Sequence, residues 1–165
     1  MNYDHYNERA ESVRKSPFLF LSLKLLNQIF TLIAFILYPV LIFSLFLRQD
    51  SRTIFYYILI PALSFFAVSF WRKKINAQRP YETYPITPLI SKKKRGESFP
   101  SRHVFCIFLI GILWTSFSFI TGLILLVCGL GLAFLRVIGG VHFFNDVFWG
   151  AFFGVICGLL TILIA

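Results

Sequence analysis

Residues Val104 to Leu135 form a run of 32 residues without a single charge. As one helix this run would be about 48 Å long at 1.5 Å per residue, far beyond a bilayer core of about 30 Å. It therefore reads as a helical hairpin that turns near Ser116 to Gly122, with two short spans of roughly 16 residues each. Three more apolar runs complete the pattern. Leu25 to Leu47 carries Asn27 and Gln28 near its start and Pro39 as a tolerated kink, and Thr53 to Trp71 ends on Trp71, Arg72, Lys73 and Lys74, an interfacial anchor. Val147 to Ala165 carries Gly150, Gly154 and Gly158 at intervals of four, a small-residue ridge that reads as a helix-packing seam. The expectation is an all-α, polytopic integral membrane helical bundle with about five spans.

Composition agrees. The chain is 58% hydrophobic and 14% charged, against about 25% charge in a soluble domain. Its 165 residues suffice for a single membrane-embedded domain, 1–165, and leave nothing for a second. Residues 1–24 read as a polar tail followed by a segment, Pro17 to Lys24, that either lies on the surface or extends the first span. Met1 to Ser16 is polar and mixed in charge with no A-x-A-like site after it, so no cleaved leader is expected. Cys106, Cys128 and Cys157 lack any ligand spacing and read as small buried hydrophobes, not disulfides or a metal site.

Nine of the sixteen Lys and Arg residues fall between Arg72 and Arg102. They occupy the one long polar connection, 72–103, together with Pro80, Pro85, Pro88 and the block Lys92 to Arg95. Connections of this length are usually functional. Beside apolar spans, the basic block is a topology signal or an anionic-lipid contact, and no nucleic-acid partner is expected.

Charged and protic residues gather at three span ends. In RKKINAQRP, Arg72 and Arg79 are seven residues apart. If the second helix continues, they share a face two turns apart, with Pro80 marking the helix end; two guanidiniums suit a phosphate. Before the third span stands Phe99-Pro100-Ser101-Arg102-His103, with Ser101 near the N-cap, where free N–H groups and the dipole favour an anion. Between the fourth and fifth spans are Arg136, His142 and Asp146. Asp146, one helical turn beyond His142, can accept an imidazole N–H and fix the tautomer. A hairpin over 104–135 brings all three clusters to one membrane face. They are the parts of phosphoryl transfer without a metal: nucleophile, orienter, general acid and phosphate cradle.

The clusters resemble the motifs K-x6-R-P, P-S-G-H and S-R-x5-H-x3-D of the type 2 phosphatidic acid phosphatase superfamily, membrane lipid phosphate phosphatases related in fold to vanadium haloperoxidases. The third appears as Leu135-Arg136, His142 and Asp146, the second as Pro100-Ser101-Arg102-His103, and the first as Arg72 with Arg79-Pro80. Arg72 stands for the lysine, Arg102 for the glycine and Leu135 for the serine. The resemblance implies His142 as nucleophile forming a phosphohistidine, Asp146 as its orienter and His103 as general acid. It also implies a phosphate cradle of Arg79, Arg136 and Ser101, with Arg72, or Lys73 one residue out of register, as the first-motif cation and Arg102 as a further one. It implies no metal or organic cofactor.

The resulting expectation is a lipid phosphatase of the cell membrane acting on a lipid phosphate or pyrophosphate, undecaprenyl pyrophosphate first and a phosphatidyl phosphate second, a ranking that rests on the resemblance. A phosphotransferase with the same intermediate and a catalytically silent anionic-lipid binder are the rivals; only the silent binder could dispense with His103, His142 and Asp146. Arg48 and Arg52 flank the first loop against six further cations in the basic loop, so the positive-inside bias puts the site on the cytosolic face, whereas many members of the family face outward. Nothing in the sequence speaks to oligomeric state.

Overall fold

The computed structural model describes residues 3–90 and 95–165; Lys92, Lys93 and Lys94 of the basic block lie outside them. Among the described residues the elements are seven helices: α1 (Tyr3–Lys15), α2 (Pro17–Leu47), α3 (Ser51–Ile75), α4 (Pro80–Thr83), α5 (Arg102–Phe117), α6 (Phe119–Ile138) and α7 (Phe144–Ile164). The α2, α6 and α7 helices and the α3 segment are long and apolar enough to cross a membrane, and α5 is a shorter apolar helix. The hairpin falls where the sequence places it, α5 and α6 being separated by Ser118 alone.

At its N-terminal end the first span runs longer than the apolar run. Ser16 caps α2 by accepting a hydrogen bond from Leu19 N, and Pro17 occupies the first turn, where its missing N–H costs nothing. The segment Pro17 to Lys24 therefore belongs to the helix, and the break at Ser16 lets α1 turn aside as a separate element. The proline inside α3 is accommodated by the bundle. Pro61 deprives the Tyr57 carbonyl of its helical donor, and the Tyr38 hydroxyl of α2 supplies one at 2.7 Å.

The α5 helix is the axis of the bundle. With 16 residues it spans only about 24 Å, but α2, α3, α6 and α7 all pack against it, so it need not match the lipid by itself. Close approach comes from glycine. A Cβ on Gly150, Gly154 or Gly158 of α7 would lie 2.7 Å from Ser101 O, 2.5 Å from Phe105 O and 2.7 Å from Ile112 Cβ, respectively. The ridge is the packing seam its spacing suggests, and it locks the start of α7 beside the start of α5. Large apolar side chains such as Phe35, Phe66, Phe134 and Leu163 are exposed on the outside, where lipid would cover them. The three cysteines are partly buried and unpaired, so they are less enclosed than expected.

The chain alternates direction through α2, α3, α5, α6 and α7, which brings the ends of α3 and α6, the starts of α2, α5 and α7, and the segments 76–90 and 95–101 to one end of the bundle.

Candidate active site

The turn from α6 into α7 is dictated locally. Gly139 caps α6, and Gly140, at φ +71°, adopts the left-handed conformation that ends helices and that glycine alone enters without penalty. The backbone then doubles back, with Val141 N and His142 N both donating to Arg136 O at 3.2 and 3.3 Å. His142 is 2% exposed and Asp146 4%. The His142 Nδ1 to Asp146 Oδ2 distance is 3.4 Å, one helical turn as expected, and a carboxylate can only accept, so Nδ1 carries the proton. Asp146 Oδ2 also accepts from Phe143 N at 2.9 Å, which ties the carboxylate to the first turn of α7, where the helix dipole favours negative charge.

Ser98 completes this group, and sequence reasoning passed over it. Fully buried, it donates a short hydrogen bond from Oγ to Asp146 Oδ2 and lies 3.3 Å from His142 Nδ1. The segment 96–100 that carries it has no regular structure of its own, so its backbone groups are satisfied by other elements. Gly96 N donates to the Glu82 carboxylate at 2.9 Å, Glu97 N to Asn76 Oδ1 at 3.3 Å and Ser98 N to Ala77 O at 2.9 Å. The carbonyls go to arginine. Arg79 donates to Gly96 O at 3.0 Å and Glu97 O at 3.2 Å, and also to Val141 O at 3.0 Å. Arg72 donates to Ser98 O at 3.2 Å and, by short bonds, to Pro100 O and Glu97 O. Glu97 itself has φ +50°, a left-handed backbone that costs a non-glycine residue about 1–2 kcal/mol and that these bonds hold in place.

The first cluster is thus brought together, but not as one helix face. The α3 helix stops at Ile75, where Asn76 adopts a left-handed cap, and Arg79 is extended at φ −93°, ψ 161°, as the residue before proline prefers. Pro80 begins the short α4 helix and does not end α3, which fits its preference for a first helical position. Glu82 in α4 accepts Arg79 N at 2.9 Å and so closes the corner. Arg72 and Arg79 are 3% and 1% exposed, whereas Lys73 is exposed and turned from the cluster.

Ser101 is the N-cap of α5, as expected, but makes no side-chain capping bond; its backbone N–H donates to Asp146 O at 2.9 Å. Arg136, 4% exposed, donates from Nη2 to Thr31 Oγ1 of α2 at 3.2 Å. Three buried polar atoms here have no hydrogen-bond partner: Ser101 Oγ, Arg136 Nε and Arg72 Nε. Each such atom costs about 1–3 kcal/mol. Arg102 points elsewhere, with Nη1 3.4 Å from Ser69 Oγ and its guanidinium 5.7 Å from the Phe65 ring centroid. With half-buried His103 it lines a cavity of about 110 Å³ beside Thr31, Ala34, Phe35, Phe65 and Cys106. A larger groove of about 420 Å³ between α2, α3 and α5 shares Ala34, Phe35, Phe65 and Cys106 with that cavity and is almost wholly apolar.

A buried histidine–carboxylate pair thus stands among arginines at one end of a multi-pass helical bundle, and an apolar groove adjoins the cavity that Arg102 and His103 line. The chain belongs to the PAP2 superfamily, the lipid phosphatase family whose profile matches residues 53–165. Among solved structures, the chain is similar to Aquifex aeolicus LpxE, with 26% identity, a TM-score of 0.71, and 90% of this chain and 87% of that chain covered. It also shares its fold with the first transmembrane PAP2 type phosphatidylglycerolphosphate phosphatase from Bacillus subtilis, with 19% identity, a TM-score of 0.68, and 96% and 81% covered. No curated protein sequence gives a significant match.

Proposed function

We propose that the chain is a single-domain phosphatase that hydrolyses a lipid phosphate or pyrophosphate through a phosphohistidine on His142. What carries this reading is the set of partnerless buried groups, Ser101 Oγ, Arg136 Nε and Arg72 Nε, around the His142–Asp146 pair: a phosphoryl group has the acceptor oxygens to satisfy them. With Nδ1 protonated toward Asp146, the Nε2 lone pair attacks phosphorus and the bond to the leaving oxygen breaks. Asp146 stabilises the imidazolium-like charge, as an orienting carboxylate does. His103 protonates the departing oxygen and then takes a proton from the water that attacks the phosphohistidine, which returns His142 and releases phosphate. No step calls for a metal or organic cofactor.

His103 lines the cavity that adjoins the apolar groove, which suits a general acid acting on the lipid's departing oxygen, the alkoxide oxygen of a monophosphate or the bridging oxygen of a pyrophosphate. The chain lies in the groove and its headgroup meets the arginines. Among lipids an isoprenoid pyrophosphate such as undecaprenyl pyrophosphate comes first and a phosphatidyl phosphate second, the class to which the named substrate of the Bacillus subtilis protein belongs. The concentration of cations at the site end, against Arg48 and Arg52 at the other, favours a cytosolic face of the cell membrane for the site and the N-terminus; tags at each terminus test this. The deciding experiment is phosphate release from a panel of purified lipid monophosphates and pyrophosphates with chelator present, with an acid-labile phosphoenzyme trapped in the same assay. No release from any member, or release that His142→Ala leaves intact, overturns the reading.

A further inference from the structure

The α1 helix lies outside the family-matched residues and too short, at 13 residues, to cross a membrane. Its inward side is Tyr6, Ala10 and Val13, packed with Phe20, Leu23, Leu89, Ile90, Leu135 and Ile138, while Glu8, Arg9, Glu11 and Lys15 are exposed. This face is laid on the proline-rich segment 84–90 and on the end of α6. Asn7 Nδ2 donates to Pro85 O at 3.1 Å, and Arg14 Nη2 to Thr87 O at 2.7 Å and Pro88 O at 3.3 Å. That segment in turn holds the site's glycine turn: Ile90 N donates to Gly139 O at 3.3 Å, and a Cβ at Gly139 would lie 2.5 Å from Ile90 Cδ1. The Tyr6 ring presses on the next residue, its hydroxyl oxygen 2.4 Å from where a Gly140 Cβ would stand. Gly140 is two residues from His142 and one from Val141, whose carbonyl Arg79 holds.

We propose that α1 is a strap that fixes the Gly139–Gly140 turn, and that Tyr6 and Arg14 are positioning residues for His142. This rests on the reading of His142 as the nucleophile. The physical argument is that a left-handed glycine turn has many accessible conformations, and a misplacement of about 1 Å at a reacting group costs about 10²-fold in rate. Tyr6 fills the space into which the turn would relax. Arg14 holds carbonyls of a segment whose prolines cannot pair as a strand or helix would. Burial pushes the Tyr6 phenol above its ordinary pKa, and the ring meets the turn uncharged.

The test uses the full chain in lipid nanodiscs and reads two quantities: kcat and KM for phosphate release from the best lipid of the panel, and amide hydrogen exchange at Gly140, Val141 and His142. Tyr6→Ala is expected to lower kcat about 10- to 100-fold, to move KM less than about twofold and to speed exchange at the turn, while Tyr6→Phe, which keeps the ring, restores both. Arg14→Ala is expected to lower kcat about three- to tenfold; it is an exposed residue, so this variant decides the question if Tyr6→Ala does not fold. Glu11→Gln, which breaks only a surface pair with Lys15, leaves both quantities unchanged. Unchanged exchange in both strap variants, faster exchange with wild-type kcat, or a change confined to KM overturns the proposal. If wild type releases no phosphate from any lipid, the phosphatase reading fails separately, and the exchange measurement alone decides whether α1 holds the turn.

Discussion

The two stretches that build the site, 136–146 and 72–100, reach the same end of the bundle by opposite routes. In 136–146 the turn itself is made by local contacts, which elements from elsewhere then brace: Gly140 reverses the chain, Val141 and His142 return to Arg136 O, and Asp146 meets His142 four residues on. In 72–100 almost nothing is local. The segment that carries Ser98 is held by Arg72, Asn76, Arg79 and Glu82 through backbone groups 14 to 28 residues away. The difference suggests a division of labour. The local turn presents the His142 imidazole, and the long-range lattice of arginine and carbonyl sets what surrounds it.

The largest effects are expected in the local turn. His142→Ala should reduce phosphate release by about 10⁴-fold or more and abolish the trapped phosphoenzyme, with thermal stability changed little; substantial release would end the assignment. Next is His103→Ala, expected to cost about 10²- to 10⁴-fold as for a lost general acid. The loss should shrink on a substrate with a good leaving group, and equal losses on good and poor leaving groups would argue against the role.

Ser98 joins the two stretches and is the sharpest probe of the comparison. Ser98→Ala removes a donor to Asp146 and leaves the helical His142–Asp146 contact in place, so kcat should fall about 10-fold, the worth of a hydrogen bond to a charged group, with KM nearly constant. A loss as large as that of His142→Ala would show that the local turn cannot orient the imidazole by itself. Arg72→Ala removes bonds to three carbonyls and should lower kcat/KM about 10- to 150-fold, from about 1.5–3 kcal/mol. Arg72→Lys should recover only part of that, because one ammonium cannot reproduce a fork aimed at Glu97, Ser98 and Pro100. Full activity in Arg72→Lys would mean that the charge matters and the fork does not. Lys73→Ala is expected to change kcat/KM less than about twofold, since its side chain is exposed.

Much of this was legible before any coordinates. The five apolar helices and the hairpin follow from lengths that a bilayer imposes, and the glycine ridge from a spacing that only a helix turns into a stripe; the helices α1 and α4 do not. The pairing of His142 with Asp146 is one helical turn, a distance that sequence separation itself specifies. By contrast, Arg72 and Arg79 belong near one another, yet not by the helical periodicity their spacing offers. A left-handed Asn76 breaks that helix, and the arginines meet by reaching the same Glu97 carbonyl.

What the chain's own order of residues determined is what depends on neighbours within a turn or on bulk hydrophobicity: an all-helical membrane bundle, a charged end, and the three motifs placed at that end. Tertiary structure alone decided that Ser98 stands against Asp146 across 48 residues, that Thr31 holds Arg136 across 105, that Glu82 closes the corner under Arg79, and that Arg102 turns toward Phe65. These residue types are common, and no periodicity marks them. Their partners are set by which backbone groups the fold leaves unpaired, and that is known only once every helix is in place.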